Sequence, residues 1–322
     1  MLKYLTRSII LGVVTILGIA FLIFTMIKIA PGSPVDVFAP NATPEIRQQI
    51  IEQYGLDKPA AVQFLRWVGH LAQGDLGRSY MDGGIPIRDL LWRHIPATVN
   101  LLILSYFISL VLALPLGMYM GMPKRGISNT IIGGLFDLIG AIPDFWMARL
   151  LIIVFAVMLR WFPISYQVVI NPDELGFFGY LSHSFKQLIL PAIALGLGSG
   201  RVSLFARHIR EEIHSVLTRS YIELAIAKGI GRARVLWLHA LPNSAIPLLT
   251  QITASIPTFL GATIIIEIIF SYPGLGILIY KSCIYRNYPV ILAGVLVLSV
   301  TVTLLNVIHD IFHYALDPKA RL

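Results

Sequence analysis

The chain has 322 residues, of which 56% are hydrophobic and 13% charged, with a mean hydropathy of +0.76 and a formal net charge of +8. A composition this apolar, with its apolar residues gathered in long unbroken runs, excludes an ordinary water-soluble domain and points to an integral membrane protein. The positive balance then reads as topology determinants and attraction to anionic lipid, with no nucleic-acid partner, and the single cysteine, Cys283, excludes an internal disulfide and a cysteine-rich metal site and reads as a buried or interfacial structural thiol.

A helix needs about 20 apolar residues to cross the hydrocarbon core. Six stretches meet that length, at roughly 9–30, 98–122, 128–160, 187–206, 245–270 and 289–312. The first follows Lys3 and Arg7, is too long for a secretory signal and lacks a small-residue cleavage site, so it reads as a retained anchor. Residues 31–96, opened by Pro31-Gly32-Ser33-Pro34, are too polar to span and predict a small helical cap. Within it, Thr43 is an N-cap, Pro44 the first helical residue and Gly55 a stop. Asp57-Lys58-Pro59 begins a second helix carrying Val62, Leu65, Val68 and Leu71 at helical spacing. Pro86 starts a third short helix ahead of the second span. The third apolar run is longer than a straight crossing needs and contains Pro143, which predicts a kink. A second polar segment, 161–186, carries turns at Asn171-Pro172-Asp173 and Gly176 and packs on the cap. Gly196, Gly198 and Gly200 in the fourth run permit close helix packing, with a gating role as the alternative.

An even number of spans puts both termini on one side. Lys124 and Arg125, then Arg207, Arg210, Arg219, Lys228, Arg232 and Arg234, then Lys319 and Arg321, all fall on the side of Lys3 and Arg7. By the excess of positive charge on cytoplasmic loops, both termini are cytoplasmic.

Ionisable residues inside apolar runs are expensive unless they face a partner or a polar cavity. Glu267 lies in such a run, flanked by Pro257 and by Pro273-Gly274, which predict bends near both helix ends; Asp137 and Asp144 lie in the third run. Each is a candidate for lining a path or for packing between helices. His309 and His313 have the i,i+4 spacing that can place two ligands on one helical face, but no third ligand is evident and no metal site is expected. A phosphate-binding G-x-x-x-x-G-K-[ST] loop is absent, as are G-x-S-x-G and H-E-x-x-H, so the sequence offers neither ATP binding nor hydrolase chemistry of its own.

The segment Tyr221–Pro247 is basic and helix-favouring, and it lies between two long apolar runs. Its spacing is Glu223-x-Ala225, three residues, Gly229, nine residues, then His239-x-Leu241-Pro242. Spacing alone leaves two readings open: an amphipathic helix on the membrane surface, from Ile222, Leu224 and Ile226 beside Arg219, Lys228 and Arg232, or a helix-turn-helix that docks on a soluble partner and reverses at Gly229. The segment resembles the cytoplasmic coupling loop of the membrane subunits of ATP-binding-cassette importers, with Leu224 in place of the middle alanine of that pattern and His239 in place of its aliphatic residue. The resemblance favours the docking reading and implies that Glu223, Ala225, Lys228, Gly229, His239, Leu241 and Pro242 form the ATPase-coupling site.

Further motifs resemble the permeases of peptide and nickel importers. They include Ile29-Ala30-Pro31-Gly32-Ser33-Pro34, Tyr54-Gly55-Leu56-Asp57-Lys58-Pro59 and Gly74-Asp75-Leu76-Gly77-Arg78-Ser79. Ile95-Pro96-Ala97-Thr98 and Ile142-Pro143-Asp144-Phe145-Trp146 follow, then Tyr272-Pro273-Gly274-Leu275-Gly276, Arg286-Asn287-Tyr288-Pro289-Val290 and Leu316-Asp317-Pro318-Lys319. This resemblance implies an all-α polytopic membrane protein of six transmembrane helices, with a helical external cap and a cytoplasmic coupling loop. The expected divisions are an N-terminal membrane helix at 1–30, a cap at 31–96 and a five-helix permease core at 97–322, with the coupling loop at about 207–244. By the same resemblance, the chain is the first permease of a heterodimeric pair in an importer of di- or oligopeptides, or alternatively of nickel. Its implied partners are a second homologous permease, two cytoplasmic ATP-binding-cassette subunits that bind ATP and Mg, an external solute-binding protein and membrane lipid. No cofactor is implied in this chain. The reading from another class, a self-contained membrane enzyme or channel, would have no use for the loop at 219–242.

Overall fold

The computed structural model describes residues 2–29, 31–122, 127–168 and 172–316. Among these the regular structure is helical, apart from one isolated bridge between Arg78 and Pro86. Ala30, Lys124, Arg125, Asn171, Asp317, Pro318, Lys319 and Arg321, which the sequence reading used, lie outside the described residues.

The first apolar run forms α1 (Leu2–Ile29). A capping box opens α2 (Pro34–Phe38): Ser33 Oγ accepts from the Val35 amide at 3.2 Å, and the Asp36 carboxylate accepts from the Ser33 amide at 2.9 Å. That amide, then Arg47, holds the Asp36 carboxyl below its ordinary range. For α3 (Pro44–Tyr54), Thr43 Oγ1 caps the Ile46 amide at 3.4 Å, and Gly55 ends the helix at φ +62°, as the sequence predicts. Next come α4 (Ala60–Ala72), begun after Pro59, and α5 (Ile87–Gly121). The separate short helix expected at Pro86 does not exist. Its residues are the first turns of α5, which runs unbroken for 35 residues through Pro96 and Pro115.

The third apolar run bends sharply next to Pro143, as the sequence predicts, and the bend divides it into two helices. α6 (Ile127–Gly140) and α7 (Asp144–Leu151), the latter continued by a π-helical turn over Ile152–Met158, meet at 93°. Pro143 sits at the N-cap of α7, where its missing amide costs nothing. The fourth run is also broken. α8 (Pro172–Leu197), interrupted by a non-helical turn at Gly176, joins α9 (Arg201–Leu217) through a 3₁₀ turn at Gly198–Gly200. Beyond it lie α10 (Ser220–Ala227), α11 (Arg232–Val235), α12 (Leu241–Phe270), α13 (Leu275–Ile284) and α14 (Tyr288–Leu316). The helix α12 continues without interruption through Pro257. Among the described residues, five helical segments are long and apolar enough to cross a membrane, and the bent pair α6–α7 makes a sixth if it is one span.

The chain divides into two compact units, Met1–Thr98 with Pro273–Val307, and Val99–Tyr272 with Ile308–Leu322. In the first, Ile87, Leu90 and Leu91 pack against Leu275, Val290 and Ala293 in a buried apolar cluster, which explains why α5 begins early: its first turns are core. Polar bonds across large sequence separations fix the surroundings. The Leu275 amide donates to Thr98 Oγ1 at 2.8 Å, the Tyr80 amide donates to Asn287 Oδ1 at 3.1 Å, and Asn287 Nδ2 donates to Ser79 Oγ at 2.7 Å. Cys283 is exposed on α13 rather than buried.

In the second unit, close helix approach rests on small residues. A Cβ on Gly196 would lie 2.9 Å from the Ser105 carbonyl oxygen, and one on Gly117 would lie 2.6 Å from Ile209 Cβ. Tyr106 of α5, Phe205 of α9 and Phe259 of α12 form an aromatic cluster, with Tyr106 and Phe259 centroids 4.1 Å apart.

Candidate functional site

The sequence between Arg219 and Pro242 folds as helix, turn and helix. Thr218 ends α9, and Arg219, in extended backbone at φ −82°, begins α10. Glu223 stands in the first turn of α10, where the positive end of the helix dipole favours a carboxylate. The far end of α10 is closed by a Schellman motif: the Gly229 amide donates to the Ile226 carbonyl at 2.9 Å and the Ile230 amide to the Ala225 carbonyl at 3.2 Å. Gly229 takes φ +84°, the left-handed conformation that glycine adopts without penalty. The reversal predicted at Gly229 is therefore present.

One side chain anchors this helix. Ile222 is fully buried, while Tyr221, Glu223, Leu224, Ile226 and Lys228 are exposed and Ala225 is half-buried. The return leg repeats the arrangement: Val235, Leu236 and Ala240 are buried, Trp237 and Leu238 exposed, and His239 half-buried in a π-helical turn over Leu236–Ala240. Leu241, half-buried, and Pro242, exposed, form the start of α12. Ser244 Oγ donates to the Ala240 carbonyl at 2.9 Å and Asn243 Nδ2 to the His239 carbonyl at 2.6 Å, which continues the bonding across this junction. A short helix, rigidly closed and anchored on one side, thus presents Leu224 and Ile226 together with Glu223 and Lys228 to the outside. Exposed apolar side chains of this kind, rimmed by charge, are what a docking surface offers a partner.

The three acids in apolar runs have distinct environments. Asp144, at the start of α7, forms a two-pronged ion pair with Arg201 at the start of α9, at 2.5 Å to Nη1 and 2.8 Å to Nη2; the side chains are 12% and 9% exposed. Arg201 Nη1 also donates to the carbonyls of Leu195 at 2.7 Å and Gly198 at 3.0 Å, and its guanidinium lies 4.7 Å from the Phe259 ring centroid. Asp137 of α6 pairs with Arg207 of α9 at 3.1 Å, both about half exposed. That pair lines a cavity of about 640 Å³ together with Thr130, Ser203, Arg210, Glu211 and His214. Glu267 is fully buried in α12.

Sequence reasoning found the two aspartates but not their arginines. Arg201 stands 57 residues from Asp144, and an arginine at the edge of a glycine-rich apolar run was the available signal. Among the described residues no group of three His, Cys, Asp or Glu side chains is placed to hold a metal ion. His309 meets Thr253 Oγ1 at 2.6 Å, while the His313 side chain lies outside the described residues.

Residues 113–322 match the family described as binding-protein-dependent transport system inner membrane component, and residues 1–86 match the N-terminal part of such membrane components. The chain is 36% identical over 322 residues, 99% of both chains, to the oligopeptide transport system permease protein AppB of Bacillus subtilis (strain 168). It is 32% identical to the di/tripeptide transport system permease protein DppB of Pseudomonas aeruginosa (strain UCBPP-PA14), covering 100% of this chain and 99% of that one. Among solved structures, an inward-facing form of the MetNI methionine ABC transporter aligns over 73% of this chain and 99% of its own at a TM-score of 0.56 and 20% identity, which speaks to the fold.

Proposed function

We propose, from the premise that this chain belongs to the family of binding-protein-dependent transport system inner membrane components, that it is a non-catalytic permease subunit carrying di- or oligopeptides into the cell. In this reading it forms half of the translocation path beside a second homologous permease. Two cytoplasmic ATP-binding-cassette subunits supply ATP and Mg chemistry, and an external solute-binding protein delivers cargo. Both termini and α10 are cytoplasmic, and residues 31–96 are external. The peptide class is supported by the full-length likeness to permeases of oligopeptide and di/tripeptide systems. Within α12, the burial of Glu267 favours packing over contact with cargo.

The observation that carries the coupling role is the closed geometry of α10. A helix held by Ile222 on one side, ended by the Gly229 reversal and exposing Leu224 and Ile226 can move as a rigid lever. Peptide uptake by vesicles holding the wild-type complex tests the transport reading; no ATP-dependent accumulation of any di- or oligopeptide would end it. For the coupling site, the Gly229→Val variant is informative. A Cβ at Gly229 meets open space, so no clash disturbs insertion, but φ +84° disfavours a β-branched residue and the turn must change. The expected outcome is normal membrane insertion with a loss of at least tenfold in peptide taken up per ATP hydrolysed. Unchanged stoichiometry would remove Gly229 from the coupling site.

A further inference from the structure

Two helix breaks in the second unit are nested into one another. The turn between α6 and α7 lies against the turn between α8 and α9: the Ser199 amide donates to the Ile142 carbonyl at 3.0 Å, and a Cβ on Gly140 would lie 2.6 Å from Gly200 Cα. Such a turn is a soft joint by itself. Ser199 and Gly200 both have positive φ, at +50° and +71°, and Ser199 pays strain for it as a non-glycine. Four helix ends meet there, and helix ends leave carbonyls and amides unbonded.

One guanidinium closes this joint. Arg201 pairs with Asp144 in the first turn of α7, bonds the Leu195 carbonyl near the end of α8 and the Gly198 carbonyl in the turn, and itself begins α9. The planar fork suits this role, since its donors serve a carboxylate and two carbonyls at once. At the opposite end of α9, two residues lead into α10. A helix of 17 residues is about 25 Å long, so a displacement of α10 turns α9 about its Arg201 end. Among the described residues the buried Ser203 hydroxyl, beside Gly140, has no hydrogen-bond partner, so it adds no polar tie to that of the guanidinium.

We infer that the Asp144–Arg201 pair is a transmission latch: it makes the α9–α10 arm and the α6–α7 elbow move as one body, so that a push on α10 reaches α7 and α8. This rests on the transporter reading given above. Arg201 and Asp144 are positioning residues, acting on the path through the helices they join. Without the latch, movement of α10 is absorbed at Ser199 and Gly200.

The test uses the complete transporter, with Cys283→Ser as background. Removing one charge alone leaves the other buried and unpaired, and such a variant can fail to assemble. The double variant Asp144→Asn with Arg201→Gln removes both charges and keeps hydrogen-bonding groups. Two quantities are read on assembled complex recovered by gel filtration: peptide taken up per ATP hydrolysed, and the distance distribution between spin labels at Ile153 and Leu204, both exposed positions on the two bodies. The expected result is a fall of at least tenfold in stoichiometry, with a label distance that broadens on ATP trapping where the wild type keeps a single narrow one. An assembled double variant with wild-type stoichiometry and a single narrow distance overturns the latch and makes the pair a packing device. Where the double variant assembles poorly, Arg201→Lys is the second reading: it keeps the charge but cannot hold the carboxylate and both carbonyls, so a stoichiometry equal to wild type counts equally against the latch. A wild-type complex that moves no peptide defeats the transport reading instead, so the two failures are distinct.

Discussion

Two aspartate–arginine pairs join the same two stretches of chain, yet they do different things. Asp144–Arg201 is nearly buried, two-pronged and surrounded by backbone carbonyls, whereas Asp137–Arg207 makes one contact at 3.1 Å with both partners half exposed to a cavity. The chemistry is identical and the surroundings are not. Away from water, an ion pair is costly to form and more costly to break, because the survivor is left charged and unsatisfied. Where polar surface and water are at hand, either partner can be solvated alone and the pair contributes little. The difference assigns the structural weight of the α6–α7 elbow to the start of α7, not to the last turn of α6.

Arg201→Ala breaks the comparison at its strongest point. It strips Asp144 of its only ion-pair partner among the described residues and removes the guanidinium donor from the Leu195 and Gly198 carbonyls, the latter keeping the Arg201 amide. The expected loss is about 3–5 kcal/mol, the usual cost of orphaning a buried charge, visible as a collapse in the yield of assembled complex. A yield equal to wild type would mean that water reaches Asp144.

A smaller effect isolates backbone approach from charge. A methyl group on Gly140 would meet the Gly200 backbone at 2.6 Å, while one on Gly134, in the same helix, meets nothing within 4 Å. Gly140→Ala is therefore expected to cost about 1–3 kcal/mol through overpacking, and Gly134→Ala to be neutral or slightly stabilising, since alanine is the better helix former. The thermal midpoints of the two purified complexes check this. Equal midpoints would show that the nested breaks are not in tight contact.

What was legible in the sequence was local chemistry. Thr43 with Pro44 and Gly55 declared both ends of α3, and Gly229 declared the reversal after α10, because capping and left-handed turns depend on a few adjacent residues. Asp137, Asp144 and Glu267 were conspicuous because charge in an apolar run is rare. Their partners were not legible, since a pairing across 57 residues is set by which helices pack together. Proline was a sound guide at one position and a false one at another. Pro86 suggested a separate helix where burial of Ile87, Leu90 and Leu91 keeps α5 whole, whereas the bend suggested by Pro143 is present and the close approach of Gly140 and Gly200 lets it reach 93°. In each case tertiary contact decided what the residue could only permit.

The exposed pair supplies the smallest effect and the most discriminating one. Arg207→Ala leaves Asp137 facing a cavity that also holds Thr130, Arg210 and His214, so its carboxylate keeps polar neighbours and room for water. The expected change is about 0–1 kcal/mol, the usual range for a solvated ion pair. It should shrink further as salt rises, because exposed charges are screened over roughly 10 Å at 0.1 M ionic strength. The measurement is the thermal midpoint of the purified complex for wild type and variant at low and high salt. A shift as large as that of Arg201→Ala, insensitive to salt, would show that the assembled transporter covers this cavity. The contrast between the pairs would then belong to the single chain alone, and a partner subunit or lipid would be the source of the added burial.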